Sequence, residues 1–290
     1  MTLDGRSSKW VSFALRRLVN LLGTLFVLLV ITFGMIHLVP GDPARLILGP
    51  RASERAVQLL RDKMWLNRPL VVQFTHYAGG VFRLHFGTSF VTGQPVTAVL
   101  LGHLPYTLWL AGVALVFFMV IGIGAGMVAA AATRDARHPR VEMMFLATTG
   151  LGGAIPSYLA ATFLAYVFAV LLRLLPVAGA GGGTSVILPA LSLAIPLGLL
   201  LARVVRVETL NVLAQDYMMT ANSKRLTRRR IYLRYLLPNA LNAILSLAGV
   251  LFVGLIGGTV VVENVFAWPG LGTLLVSSIP KLDYLSLIHI

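Results

Sequence analysis

The chain of 290 residues contains no cysteine. That excludes disulfides, thiolate metal sites and thiol nucleophiles. Charge is almost as scarce, at 12% of residues against roughly 25% in an ordinary soluble domain. Hydrophobic residues fill 57% of the chain and the mean hydropathy is +0.85. A soluble globule of this size would leave large apolar patches exposed. An ordinary cytosolic enzyme and a disordered chain are both excluded, and lipid is the solvent for much of the molecule.

Only 10 acidic residues face 24 Lys and Arg, for a net charge of +14. A nucleic-acid domain carries such charge on a polar, foldable globule. Here the cations fall in short runs between apolar stretches, which is how membrane proteins fix their orientation. No nucleic-acid partner is expected; the bilayer is.

Apolar runs predict membrane spans over Leu18 to Val39, Thr107 to Ala132, Met143 to Leu172, Ile187 to Val205 and Ala240 to Val262. The expected fold is an all-α polytopic helical bundle with five spans. With the N-terminus in the cytoplasm, the inside segments (1–17, 133–142 and 203–238) hold 15 of the 24 Lys and Arg. Seven of the others lie in one long outer loop, where the positive-inside rule has little force. Inside that loop, Ser53 to Met64 reads as an amphipathic helix with Ser53 as N-cap. The pairs Gly122/Gly126 and Gly254/Gly258 are small-xxx-small packing signals. Pro156 and Pro196 are expected to loosen their helices.

Reactive groups are missing from the spans, where they would be costly and therefore informative. His37 sits at the outer end of the first span, as an interfacial anchor would. Glu142 lies at a cytoplasmic boundary and Glu263 at the outer surface. There is no His-Glu-x-x-His and no Gly-x-Ser-x-Gly. The glycine tract 179–183 lacks the Lys-Ser/Thr of a P-loop and reads as a flexible outer loop. No catalytic, cofactor-binding or metal site is expected, proton coupling and proteolysis are disfavoured, and energy for moving a solute would have to come from elsewhere.

The segment between the fourth and fifth spans is the most informative. It runs Asp216-Tyr217-Met218-Met219-Thr220-Ala221-Asn222-Ser223-Lys224-Arg225-Leu226, then Thr227-Arg228-Arg229-Arg230-Ile231. Asp216 can cap one short helix and Thr227 the next, with Leu226 and Ile231 at the staple positions. Three arginines in a first helical turn oppose the helix dipole, so something outside must compensate. Anionic lipid would do so, but lipid does not account for a defined helix–corner–helix. A partner protein does.

Four stretches together resemble the membrane-spanning permease subunits of ABC importers, in the dipeptide/oligopeptide/nickel branch. They are Val39-Pro40-Gly41-Asp42-Pro43, Leu188-Pro189-Ala190-Leu191, Asp216 to Leu226, and Val262-Glu263-Asn264-Val265-Phe266-Ala267-Trp268-Pro269-Gly270-Leu271-Gly272. The resemblance implies a transporter subunit of the bacterial inner membrane rather than an enzyme. Its partners would be a second permease subunit, two ABC ATPase subunits and an extracytoplasmic solute-binding protein. It implies an ATPase-coupling loop at about 206–238, with Asp216, Tyr217, Thr220, Ala221, Ser223, Lys224, Arg225 and Leu226 at the family's loop signature. Pro40, Gly41, Asp42, Pro43, Glu263, Phe266, Pro269, Gly270 and Gly272 are the structural motif residues so implied. The cargo would be peptides or similar small solutes, among them dipeptides, oligopeptides, nickel chelates and glutathione.

Two positions depart from the family pattern. Arg225 replaces the signature glycine, and Trp65 replaces a glycine before Leu66. The expected division is a cytoplasmic N-terminus (1–17), first span (18–39), extracytoplasmic subdomain (40–106) and permease core (107–284). The family's sixth span is expected to be missing by truncation. Residues 285–290, Leu-Ser-Leu-Ile-His-Ile, are the translation of the transposase adapter CTGTCTCTTATACACATC and are expected to be a non-native tail. The rival reading is a non-transporting or degenerate membrane scaffold.

Overall fold

Backbone groups in lipid must find their partners within the protein, and a helix satisfies them inside one segment. In this computed structural model the described residues are 4–38, 42–49, 51–63, 65–89, 92–134, 138–218, 227 and 230–280. Helix is the dominant regular structure among them, and a single antiparallel bridge, Thr88 to Pro95, is the only β pairing. Pro40, Gly41, Thr220, Ala221, Ser223, Lys224, Arg225, Leu226 and the tail 285–290 lie outside the described residues. Two compact units divide the chain, residues 1–100 with 278–290, and residues 101–277.

The first unit opens with α1 (Asp4–Leu38), of which Trp10–Gly34 is long and apolar enough to cross a membrane and buries none of its length inside the chain. The helix extends beyond the apolar run expected from Leu18, so Arg16 and Arg17 fall within it. Next come α2 (Pro43–Leu48), α3 (Glu54–Lys63) and α4 (Leu70–Phe82). Ser53 caps α3 as expected, its Oγ accepting from the Ala56 N–H at 3.3 Å. Phe74 and Tyr77 of α4 meet Phe33 of α1, and the Thr32 and Tyr77 hydroxyls lie 3.0 Å apart.

The glycine missing at Trp65 has a visible cause. Trp65 stands at φ 62, with its N–H on the Asp62 carbonyl and the Leu66 N–H on the Arg61 carbonyl. That is the Schellman ending of α3, whose left-handed residue is ordinarily glycine. The indole compensates by stacking on His76 at 4.4 Å between ring centres, with Arg68 on it as well.

The second unit is built around α8 (Ile187–Leu213). Packed on it are α5 (Val96–Thr133), α6 (Pro139–Ala154), α7 (Ser157–Leu164, continuing as a π-helical segment Ala165–Leu171) and α9 (Leu237–Val265, entered through the π-helical Ile231–Leu236). The short α10 (Leu271–Ser278) follows. Glycine permits the close approaches. A Cβ on Gly122 would lie 2.6 Å from Leu201, and one on Gly126 would lie 2.6 Å from the Ala202 carbonyl. Gly152 and Gly153 of α6 face Leu199 and Leu200 in the same way. Gly254 differs, with nothing within 4 Å, so the second expected glycine pair does not pack as a pair within the chain.

The expected span Met143 to Leu172 is not one straight helix. It breaks at Ile155-Pro156 into α6 and α7, bent by 98°. A residue before proline is pushed out of the helical region, and Ile155 sits at φ −70, ψ 122. Pro196, by contrast, stays inside a continuous α8. Among the described residues four helices are long and apolar enough to span a membrane, or five when the bent pair is taken as one span. The glycine tract is also less free than expected, since the Gly179 N–H donates to the Phe266 carbonyl at 2.8 Å.

Gly126→Ala is expected to destabilise the detergent-solubilised permease by about 1–3 kcal/mol through overpacking, whereas Gly254→Ala does not lower the unfolding midpoint and, as a helix-interior glycine with open space, can raise it; equal midpoints would contradict the packing at α8. Trp65→Ala is expected to be less stable than Trp65→Gly by about 1 kcal/mol, the strain of a non-glycine left-handed residue, with both lacking the indole.

Candidate functional site

The polar groups of the second unit gather in two places. The first lies around the motif 263–272. Here α9 ends in a second Schellman turn, with Ala267 at φ 47, its N–H on the Asn264 carbonyl and the Trp268 N–H on the Glu263 carbonyl at 2.8 Å. The side chain of Glu263, 0% exposed, turns toward the start of α10. Its Oε2 accepts from the Gly272 N–H at 2.6 Å and the Thr273 N–H at 3.3 Å. Its Oε1 accepts from the Thr107 hydroxyl at 2.7 Å, and that hydroxyl oxygen accepts from the Leu271 N–H at 2.8 Å.

The first three N–H groups of α10 are therefore satisfied by side chains from α9 and α5. An anion there also suits the helix dipole. This arrangement explains the glycines. A Cβ on Gly270 would collide with the Glu263 carboxylate, and one on Gly272 would collide with the backbone of Val260. Phe266 and Trp268 are buried in the core, and the Trp268 indole N–H donates to the Tyr106 carbonyl at 3.0 Å. His103 Nδ1 lies 3.1 Å from the Pro269 carbonyl, which accepts from the Nδ1–H tautomer.

The second place is where α5, α6 and α8 converge. Arg206, 9% exposed, donates from Nη2 to Glu142 Oε1 at 2.6 Å and from Nε to Thr133 Oγ at 3.0 Å. Beyond it α8 ends at Leu213, and residues 216–218 form a helical turn. Asp216 and Tyr217 are exposed there, while Met218 is fully buried. On the far side of the loop the Thr227 carbonyl accepts from the Ile231 N–H at 3.0 Å. Ile231 is buried, and it shares a hydrophobic cluster with Met218, Val205, Val212 and Leu213.

Within the first unit, Asp42 of the Pro-Gly-Asp-Pro stretch caps α2, accepting from the Ala44 N–H at 3.2 Å, with Pro43 opening the helix. Its other oxygen pairs with Arg61 of α3 at 3.3 Å. Arg45 and Glu54 form a second ion pair between the same two helices. The motif thus positions the two helices that follow α1. Sequence reasoning did not pick out Thr107, His103 and Arg206. Thr107 and His103 carry no local signal, whereas an arginine within an apolar helix was a signal available for Arg206.

Glu263→Ala leaves the Gly272 and Thr273 N–H groups without their acceptor and is expected to destabilise the solubilised chain by at least about 2 kcal/mol, as when a buried donor is left unsatisfied. An unchanged unfolding midpoint would contradict this role.

Residues 122–287 match the family of binding-protein-dependent transport system inner membrane components, and residues 10–111 match that family's N-terminal region. The chain is 37% identical over 274 residues to the glutathione transport system permease protein GsiC of Shigella flexneri serotype 5b, and 39% identical to that of Salmonella choleraesuis (strain SC-B67). Each alignment covers 94% of this chain and 88% of the relative. The fold is similar to a chain of the MetNI methionine ABC transporter, solved in inward-facing conformations, with a TM-score of 0.52 and 18% identity over 66% of this chain and 91% of that one. The chain therefore belongs to the family of binding-protein-dependent transport system inner membrane components, as a multi-pass permease subunit of an ABC importer and not an enzyme.

Proposed function

We propose that this permease carries glutathione-type peptides or similar small solutes, and that separate ATPase subunits drive it through the loop at about 206–238. The observation that carries the solute class is the 37–39% identity to permeases named for glutathione transport. In this reading a second permease subunit completes the pathway, two ABC ATPases bind inside, and an extracytoplasmic binding protein delivers the solute. The N-terminus lies in the cytoplasm, because that orientation puts 15 of the 24 Lys and Arg inside. Residues 40–106 then face outward and 107–284 form the core.

The loop is suited to receive force. Within it, Met218 and Ile231, on either side of the signature residues, are buried in one cluster with α8, while Asp216 and Tyr217 are exposed. Thr220, Ala221, Ser223, Lys224 and Leu226 make the contact with the ATPase. Closure of the ATPase dimer on ATP would rock the spans from inward- to outward-facing.

Reconstituted with these partners in proteoliposomes, the wild type is expected to hydrolyse ATP faster with glutathione-loaded binding protein than with empty binding protein. Lys224→Glu is expected to lower that stimulation at least about fivefold, the low end of typical coupling free energies. Stimulation by dipeptides and not by glutathione would redirect the solute; none by either would overturn the reading.

A further inference from the structure

We propose that Arg206 is a positioning residue for coupling: with Thr133 and Glu142 it fastens the end of α5 and the start of α6 to α8, so that the three helix ends move as one body when the loop beyond α8 is pushed. The proposal rests on the reading of 206–238 as the coupling loop.

Stability alone gives little reason for an arginine at this place. Replacing a buried ion pair by well-packed apolar side chains is often neutral or stabilising. A guanidinium, however, has a planar fork that holds two acceptors in fixed directions at once, which a hydrocarbon cannot do. Arg206 uses it on two different helices, donating to Thr133 on α5 and Glu142 on α6. Its guanidinium carbon also lies over the Phe145 ring of α6, 5.9 Å from the ring centre. Glu142 stands in the first turn of α6, where the helix dipole favours a carboxylate.

The neighbours complete a path for force. Val205, next to Arg206, packs on Gly126 of α5, so the two backbones are close at the tie. Val205 also shares its hydrophobic cluster with Met218 and Ile231, the two flanks of the loop. A displacement of the loop enters α8 through those flanks, and Arg206 passes it to α5 and α6.

The chain has no native cysteine, so this subunit, labelled at two introduced cysteines before assembly with its partners, carries spin labels only at the chosen sites. Labels at the exposed positions Arg140 and Ala214 read α6 against α8, and labels at Ala131 and Ala214 read α5 against α8. In the complete reconstituted transporter both distances are expected to be narrow and the same without nucleotide and with ATP. Glu142→Gln should broaden the 140–214 distance. Thr133→Val, which removes one hydroxyl and leaves the ion pair, should broaden 131–214 alone, and it keeps the test open if Glu142→Gln fails to fold. In both variants the solute moved per ATP hydrolysed should fall at least about fivefold.

A merely stabilising role would lower the unfolding midpoint and leave the distances and the transport ratio unchanged; that result overturns the proposal. So does a wild-type distance that shifts by about 5 Å, one helical turn, between the two states. Wild-type transporter without binding-protein-stimulated hydrolysis would instead defeat the coupling reading, while the distances still judge the tie.

Discussion

A helix that ends inside a membrane protein leaves N–H and C=O groups that lipid cannot satisfy. Glu263 resolves this for two helices together. Its carbonyl closes the end of α9 and its carboxylate caps the start of α10. Thr107 makes the arrangement a three-helix junction, since it donates to the carboxylate and accepts from Leu271. The surrounding constraints follow from that seat: no side chain fits at Gly270 or Gly272, and Trp268 and His103 anchor the turn between the helices.

Along α8 the unit has two hydrophobic clusters with different companions. The one with Leu188 and Leu193 includes Phe266 and Trp268 beside the Glu263 junction. The other, with Leu201 and Val205, includes Met218 and Ile231 at the flanks of the coupling loop. One helix therefore has the carboxylate junction near one end and the arginine tie near the other. Buried hydroxyls in between are kept quiet by their own helices: Ser192 donates to the Pro189 carbonyl, Thr149 to Phe145 and Thr259 to Ile256.

Much of the architecture was legible because lipid makes hydropathy a direct record of which segments cross. Ser53 as the cap of α3 was legible too, since capping is local chemistry. The two left-handed helix endings were not, because Trp65 and Ala267 occupy positions where only a glycine would have signalled the turn. The corner at Pro156 was underestimated as a loosening, because proline's effect depends on whether neighbours hold the helix together, as they do around Pro196. Family resemblance located Glu263, Gly270 and Gly272 but not the reason for them, which is steric and electrostatic. Thr107 was invisible, because a threonine in an apolar run reveals its partner only when a residue 156 positions later is folded against it.

That separation also bears on how the molecule is made. Chains emerge from the ribosome N-terminal end first, so α5 is in place long before the residues that it caps exist. Until α9 and α10 are made, the Thr107 hydroxyl and the first cluster lack the partners that those helices supply. Closing such distant contacts comes late and slowly in folding. The Glu263 junction can therefore close only after α10 has been made, although Thr107, one of its three members, is present from an early stage of synthesis.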